Sequence, residues 1–313
     1  MIKESTVFIF GAGLSSDYFF PTGAKLRDEI TELLKFSNSD PNLPQQIKVL
    51  RKIGFTPDQI IDFREQLEDG GFDTIDEFLE KRKSQAIHSL GKTAIAMALI
   101  RHENPNLLSK NKSSDTCFYR FLFKKMVENT EKGTFAENPV SFVTFNYDRS
   151  FEFYLWRALN KYYEGIHPEE VNNIMKKIRI IHVHGKLGDL PWENLNSRPY
   201  STEIDEGSLV PASSGIVNFN DVGGSHERYK IARYKISVSS KVYFIGFGFH
   251  NLNISRLIEE NCLDGNKTIL ATALNINPSR VKEIDTLTNG KLNSGNMINE
   301  SAIAFAHSRL ILL

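Results

Sequence analysis

Cysteine is scarce in this 313-residue chain, long apolar runs are missing, and neither sign of charge is in excess. Its two cysteines, Cys117 and Cys262, lie far apart and match no zinc spacing. They read as reduced thiols of a cytosolic protein. No apolar stretch approaches the ~20 residues of a membrane helix. From Met1 the chain runs straight into an apolar strand, without the longer segment and small-residue cleavage site of a signal peptide. A soluble protein located in the cytoplasm is therefore expected, with no membrane partner. The 38 basic and 38 acidic side chains cancel. A polyelectrolyte partner usually leaves a basic surplus, so composition gives direct nucleic-acid binding no support, although a local basic patch remains open. Internal repeats and low-complexity tracts are absent too. Present instead are 41% hydrophobic and 11% aromatic residues, enough for a sizeable core.

The apolar runs are short and regularly placed. Thr6–Phe10 reads as a strand feeding Gly11-Ala12-Gly13, and Ala24–Phe36 carries helical spacing. Between Ser37 and Asn138 the patterns are helical, clearest at Phe72–Lys83, Gln85–Arg101 and Cys117–Lys132, with Asn104–Ser114 a polar connection. A hundred helical residues between two strands exceed an ordinary crossover, which predicts an inserted helical subdomain over 37–138. Strands follow at Val140–Phe145, Ile178–Val183 and Val242–Ile245. A helix reaches Tyr162, Gly188–Gly224 reads as irregular, and a helix is expected over Asn253–Leu263. Thr268–Leu274 and Arg309–Leu313 are candidate last strands around a helix near Pro278–Leu287. Short, nearly all-apolar strands alternating with helices predict an α/β fold, a Rossmann-like parallel sheet with helices on both faces. Residues 1–36 and 139–313 would form it, around the insertion.

In such sheets ligands sit outside the carboxyl ends of the strands. Here those ends read GAG, NYD, HG and GFG. Gly11-Ala12-Gly13-Leu14-Ser15-Ser16 permits a sharp turn and close backbone approach, and helix-start N–H groups can hold phosphate. Ser16 stands where a third glycine would complete G-x-G-x-x-G, so a hydride-transferring dehydrogenase is not implied. A plain strand–helix turn is the alternative. Asn146 and Asp148 put polar side chains at the second strand's end, where a helix cap would explain Asp148 equally well. Alternation predicts that His182 and His184 face the same way, beside Gly185. Histidine suits a general base near neutral pH. A buried structural histidine is the competing account, and a metal site lacks a third ligand at short spacing. No metal is expected.

Together these segments resemble the sirtuin superfamily, and more closely its bacterial sirtuin-like branch found in antiviral defence. GAGLSS is similar to the sirtuin opening, and FFPTGAKLRD, with Pro21 and Arg27, resembles the cofactor-binding loop. TFNYD looks like the T-Q-N-x-D motif and HVHG like the His-Gly motif. FIGFGFHNLN resembles the late glycine segment, and DTIDEFLEKR a helical segment of the defence branch. The chain departs from protein deacylases in lacking their four-cysteine zinc module, since only Cys262 follows His184. Thr22-Gly23-Ala24 also replaces the expected Asp-Phe-Arg after the loop proline.

The resemblance implies cleavage of NAD⁺ to nicotinamide and ADP-ribose, with NAD⁺ as substrate. Gly11, Ala12, Gly13 and Ser15 would bind pyrophosphate. Pro21, Arg27, Gly246, Gly248 and Asn253 would complete the cofactor site. Asp148 would hold the carboxamide, Asn146 the ribose or water, and His184 would act as base. ADP-ribosyl transfer, a catalytically silent nucleotide sensor and a structural subunit are the alternatives. An NAD⁺-destroying defence effector implies regulation by assembly, as a homo-oligomer or with an argonaute-like protein or HerA-type ATPase. The helix start at His226, Glu227, Arg228 and Tyr229 is a further candidate to reach the site. Lys176, Lys177 and Arg179 read as a solvated helix end.

Overall fold

A computed structural model describes residues 1–37, 39, 42–108, 113–194, 197–217, 224–259 and 262–312, with the side chains of 224 and 225 left aside. Positions 109–112, 195–196, 218–223, 260–261 and 313, on which several of the expected segments run, lie outside the described residues, as do 38, 40 and 41.

The chain opens with β1 (Thr6–Phe10), the short α1 (Ala12–Ser15) and α2 (Gly23–Leu33). Then come α3 (Gln45–Lys52), α4 (Pro57–Asp69), α5 (Ile75–Glu80), α6 (Gln85–Ile100) and α7 (Phe118–Val127). β2 (Val140–Thr144), α8 (Ser150–Tyr162), α9 (Pro168–Lys177) and β3 (Arg179–His182) follow. The remainder is α10 (Glu206–Gly215), α11 (Gly224–Val238), β4 (Lys241–Ile245) and α12 (Asn251–Leu257), then β5 (Thr268–Thr272), α13 (Pro278–Leu287), β6 (Met297–Ile298) and α14 (Ala302–Arg309).

All six strands are parallel, in the order β3-β2-β1-β4-β5-β6. This is the Rossmann arrangement, and it explains why the strands read as unbroken apolar runs. Phe8, Phe10, Phe142, Tyr243 and Ile245 point into one core, and Val7, Ile9, Val143, Val242 and Phe244 into the other. The first core continues through α2 to α10 and α14, so the inserted helices share it with the sheet. The second holds α11, α12 and α13.

Helices α3 and α4 add to those expected, and Thr56 and Gln59 form a reciprocal capping box ahead of α4. Part of the expected irregular segment is α10, started by a second capping box at Asp205. The sixth strand is Met297–Ile298, and most of the apolar C-terminus that suggested a strand follows α14 as loop.

Consecutive strands run outward from β1 to β3, then the chain returns to place β4 on the other side of β1. The switch point, where ligands bind in such sheets, therefore lies between the carboxyl ends of β1 and β4. Two glycine turns meet there. Gly13 N–H donates to the Gly246 carbonyl (2.9 Å) and Gly11 N–H to that of Ile245 (3.1 Å). A methyl group on Gly246 would stand 2.1 Å from the Leu14 nitrogen, and Gly246 has φ +61°. Its glycine is thus demanded both by contact and by conformation.

Candidate active site

At the carboxyl edge of β1 and β2, three expected residues are bonded to one another. Asn146 Nδ2 donates to the Gly11 carbonyl (3.1 Å) and to Ser15 Oγ (2.7 Å). Ser15 Oγ in turn donates to Asp148 Oδ2 (2.7 Å). Because a carbonyl can only accept, the Gly11 contact fixes which end of the Asn146 amide is nitrogen. Its Oδ1 is left buried, with no hydrogen-bond donor among the described residues.

Asp148 does cap a helix. Its Oδ1 accepts from the Ser150 N–H at the start of α8 (3.0 Å) and from the Ser150 hydroxyl. Tyr119 reaches that hydroxyl from α7 (2.8 Å). Burial pushes the Asp148 carboxyl above its usual range, opposed by the donors Ser15 and Ser150. Ser15 and Asp148 thus hold Asn146 and the base of α8 in place, and the Ser15 hydroxyl is engaged on both sides.

The histidines diverge. β3 ends at His182, and the chain turns through Gly185 at φ +76°, so strand alternation no longer sets His184. His182 Nδ1 donates to the Asn146 carbonyl (2.9 Å), and Nε2 meets Glu152. Burial raises the Glu152 carboxyl, but His182 and Lys186 outweigh it and hold the group below its ordinary range. His184 instead lies among aromatic rings, with centroids at 5.3 Å to Phe145, 6.0 Å to Tyr229 and 6.3 Å to Tyr147. Asn253 hydrogen-bonds its ring, and the Tyr229 hydroxyl donates to Asn253 Oδ1 (3.4 Å). Asn253 therefore touches the histidine.

Burial drives the His184 pKa from 6.5 down to about 3, so the ring is neutral at physiological pH. The unfolded chain takes up this proton first as pH falls. Stability is thus complete above pH 6.5 and is lost as pH drops towards 3. Between pH 6.5 and 5 the wild type is expected to lose about 1.6 kcal/mol relative to His184→Gln. Urea denaturation of both proteins at the two pH values measures this. An unchanged difference would show that His184 titrates normally in the fold.

The other expected residues are more dispersed. Ala12 and Gly13 reach solvent beside the buried Ser15, and Pro21 is buried ahead of α2. Arg27 is turned towards the inserted helices, donating to the Phe72 carbonyl (2.6 Å) and pairing with Asp28 (2.6 Å). Gly248 is exposed, with open space where a side chain would stand. From α11, Tyr229 packs on His184, and Arg228 donates to the His182 carbonyl (3.3 Å).

Sequence reasoning missed three contributions. Asp76 of α5 accepts from the Tyr147 hydroxyl at 2.5 Å, bringing the insertion onto the NYD strand end. Phe19 is 57% exposed at φ +72°, a conformation bulky residues seldom adopt, on the loop leading to Pro21. Behind the site, Glu103 bonds both Arg149 (2.6 Å) and Arg198 (2.5 Å), all three fully or almost fully buried. Arg149 follows Asp148 directly, but its spacing from Glu103 and Arg198 carries no sequence signal.

Chemically, the edge offers a neutral imidazole, a fixed amide with a spare acceptor, and backbone at two glycine turns. Among the described residues no group of three or more His, Cys, Asp or Glu could hold a metal ion. No helix there is long and apolar enough to cross a membrane. No protein-family profile matches the sequence, and no curated protein is significantly similar to it.

Proposed function

We propose that the chain is a sirtuin-like NAD⁺ glycohydrolase acting at the β1–β4 switch point. The observation that carries this reading is the buried, unpaired Asn146 Oδ1. Leaving such an acceptor unsatisfied costs about 1–3 kcal/mol, which a ribose hydroxyl donating to it recovers. The strand order supports a dinucleotide at this place, and the glycine turns allow its phosphates close to the backbone.

In the proposed reaction the C1′–nitrogen bond of the nicotinamide ribose breaks, and its electron pair leaves with neutral nicotinamide. Water adds to C1′ and loses one proton, giving ADP-ribose. Asn146 holds the ribose, Ser15 and Asp148 keep Asn146 in register, and His184 accepts the proton. The ring is neutral at physiological pH, the protonation state that a proton acceptor requires. Basicity this far below the ordinary range favours one second reading, a sensor that binds NAD⁺ or ADP-ribose without turnover. The resemblance adds a defence role and control by self-assembly or a partner to the proposal.

Nicotinamide release by the full chain tests the choice. His184→Ala and Asn146→Ala are each expected to lower it about 10²-fold. NAD⁺ binding without release would favour the sensor, and absence of binding would overturn both readings.

A further inference from the structure

A groove of 1390 Å³ opens in the crease where α7 packs on α8, and none of its lining residues belongs to the candidate active site. Its charge is one-sided. Helix α7 supplies Arg120 and Lys124, and α8 supplies Arg157 and Lys161. Both pairs stand four residues apart, so each helix turns one basic row towards the groove. With Lys125, five lysine and arginine side chains face two acids, Asp115 and Glu128. Lys125 is engaged by Glu128 (3.5 Å), and Arg157 donates to the Pro105 carbonyl. Lys124 and Lys161 are exposed and form no ion pair among the described residues. Phe123, Tyr154 and Tyr162 also line the groove, and Tyr162 is 53% exposed. The neutrality of the whole chain concealed this patch.

We propose that the groove binds single-stranded nucleic acid, with phosphates along the basic rows and bases against Tyr154 and Tyr162. A single strand supplies a negative charge and a flat ring at every nucleotide, matching the basic and aromatic side chains that line the groove. A mononucleotide is small for it, since small-molecule sites run to roughly 300–1,000 Å³. An acidic peptide offers the charge without the stacking rings. A duplex keeps its bases stacked inside, away from the tyrosines. The proposal is independent of the NAD⁺ site.

The test is fluorescence anisotropy of a labelled oligothymidylate of about 12 nucleotides with the full chain at about 50 mM salt. Binding is expected at roughly 1–100 µM, weakening as salt rises. The double variant Lys124→Glu/Lys161→Glu should bind at least ~10-fold more weakly, with a salt slope shallower by about 1.4. Tyr162→Ala should lose about five-fold with an unchanged slope. Circular dichroism should be unchanged in both variants, because these side chains are exposed. No binding, or equal affinity in the double variant, overturns the proposal. Equal competition by polyglutamate overturns it in favour of an acidic peptide, and equally tight duplex binding reduces the groove to a non-specific charged surface.

Discussion

Glu103→Ala is expected to destabilise the protein by about 3–5 kcal/mol, because it strands two buried cations. The Glu103 carboxylate, fully buried just past the end of α6, bonds Arg149 through Nε (2.9 Å) and one terminal nitrogen (2.6 Å), and Arg198 at 2.5 Å. Most of the remaining guanidinium N–H groups are spent on carbonyls of the segment after β3, while Arg198 Nε is buried without an acceptor among the described residues. Arg149 donates to Asp189 and Arg198, and Arg198 donates to Ser201. Carbonyls solvate a cation but do not neutralise it. Without Glu103, two guanidinium groups face each other out of water, and desolvation already weakens the hold of Arg198 on its proton. In a chain of this size the melting temperature should fall by roughly 10 °C. Glu103→Gln should recover little, since its amide nitrogen meets a donor. Replacing all three residues by apolar ones of similar volume should cost far less than Glu103→Ala alone. A loss under about 1 kcal/mol for Glu103→Ala would show that the cluster is relaxed or hydrated.

The second large effect is expected at the crossing of the glycine turns. Gly246→Ala places a methyl group 2.1 Å from the Leu14 nitrogen at a backbone φ of +61°. Both obstacles are main chain, so no side-chain rotation relieves them. A cost of at least about 3 kcal/mol follows from overpacking and strain together. Gly248→Ala is the matched control, two residues on, where a methyl group meets open space. It should stay within about 0.5 kcal/mol of wild type. Equal urea midpoints for the two variants would mean that the turns do not interlock.

The sheet was legible because each inner strand is buried on both faces and reads as an apolar run between turn residues. Val140–Thr144 and Lys241–Ile245 lie within a residue or two of expectation, and α13 matches it. Two residues cannot show periodicity, so β6 was invisible. The apolar tail Arg309–Leu313 imitated a strand, although Leu310 and Leu312 only pack against the first core and Ile311 is exposed. α10 escaped notice because small residues and Pro211 obscure its pattern. The positions of candidate site residues were legible because polar letters end apolar strands. Their partners were not. That Ser15 joins Asn146 to Asp148, that Asn253 serves His184, and that Asp76 reaches Tyr147 all depend on how turns and inserted helices settle on the sheet edge.

The interlocked glycine turns also set an order of events in synthesis. β1 is the first strand made, yet one of its two neighbours, β4, follows only after β2, β3 and the inserted helices. The Gly13–Gly246 hydrogen bond joins points separated by most of the chain. Such a contact forms late, after loop closure across everything between. A nascent chain still short of β4 can assemble its helical insertion, but it has no floor for a nucleotide cleft. On the ribosome, the proposed NAD⁺ pocket therefore comes into existence only after β4 has joined β1, well after the first three strands.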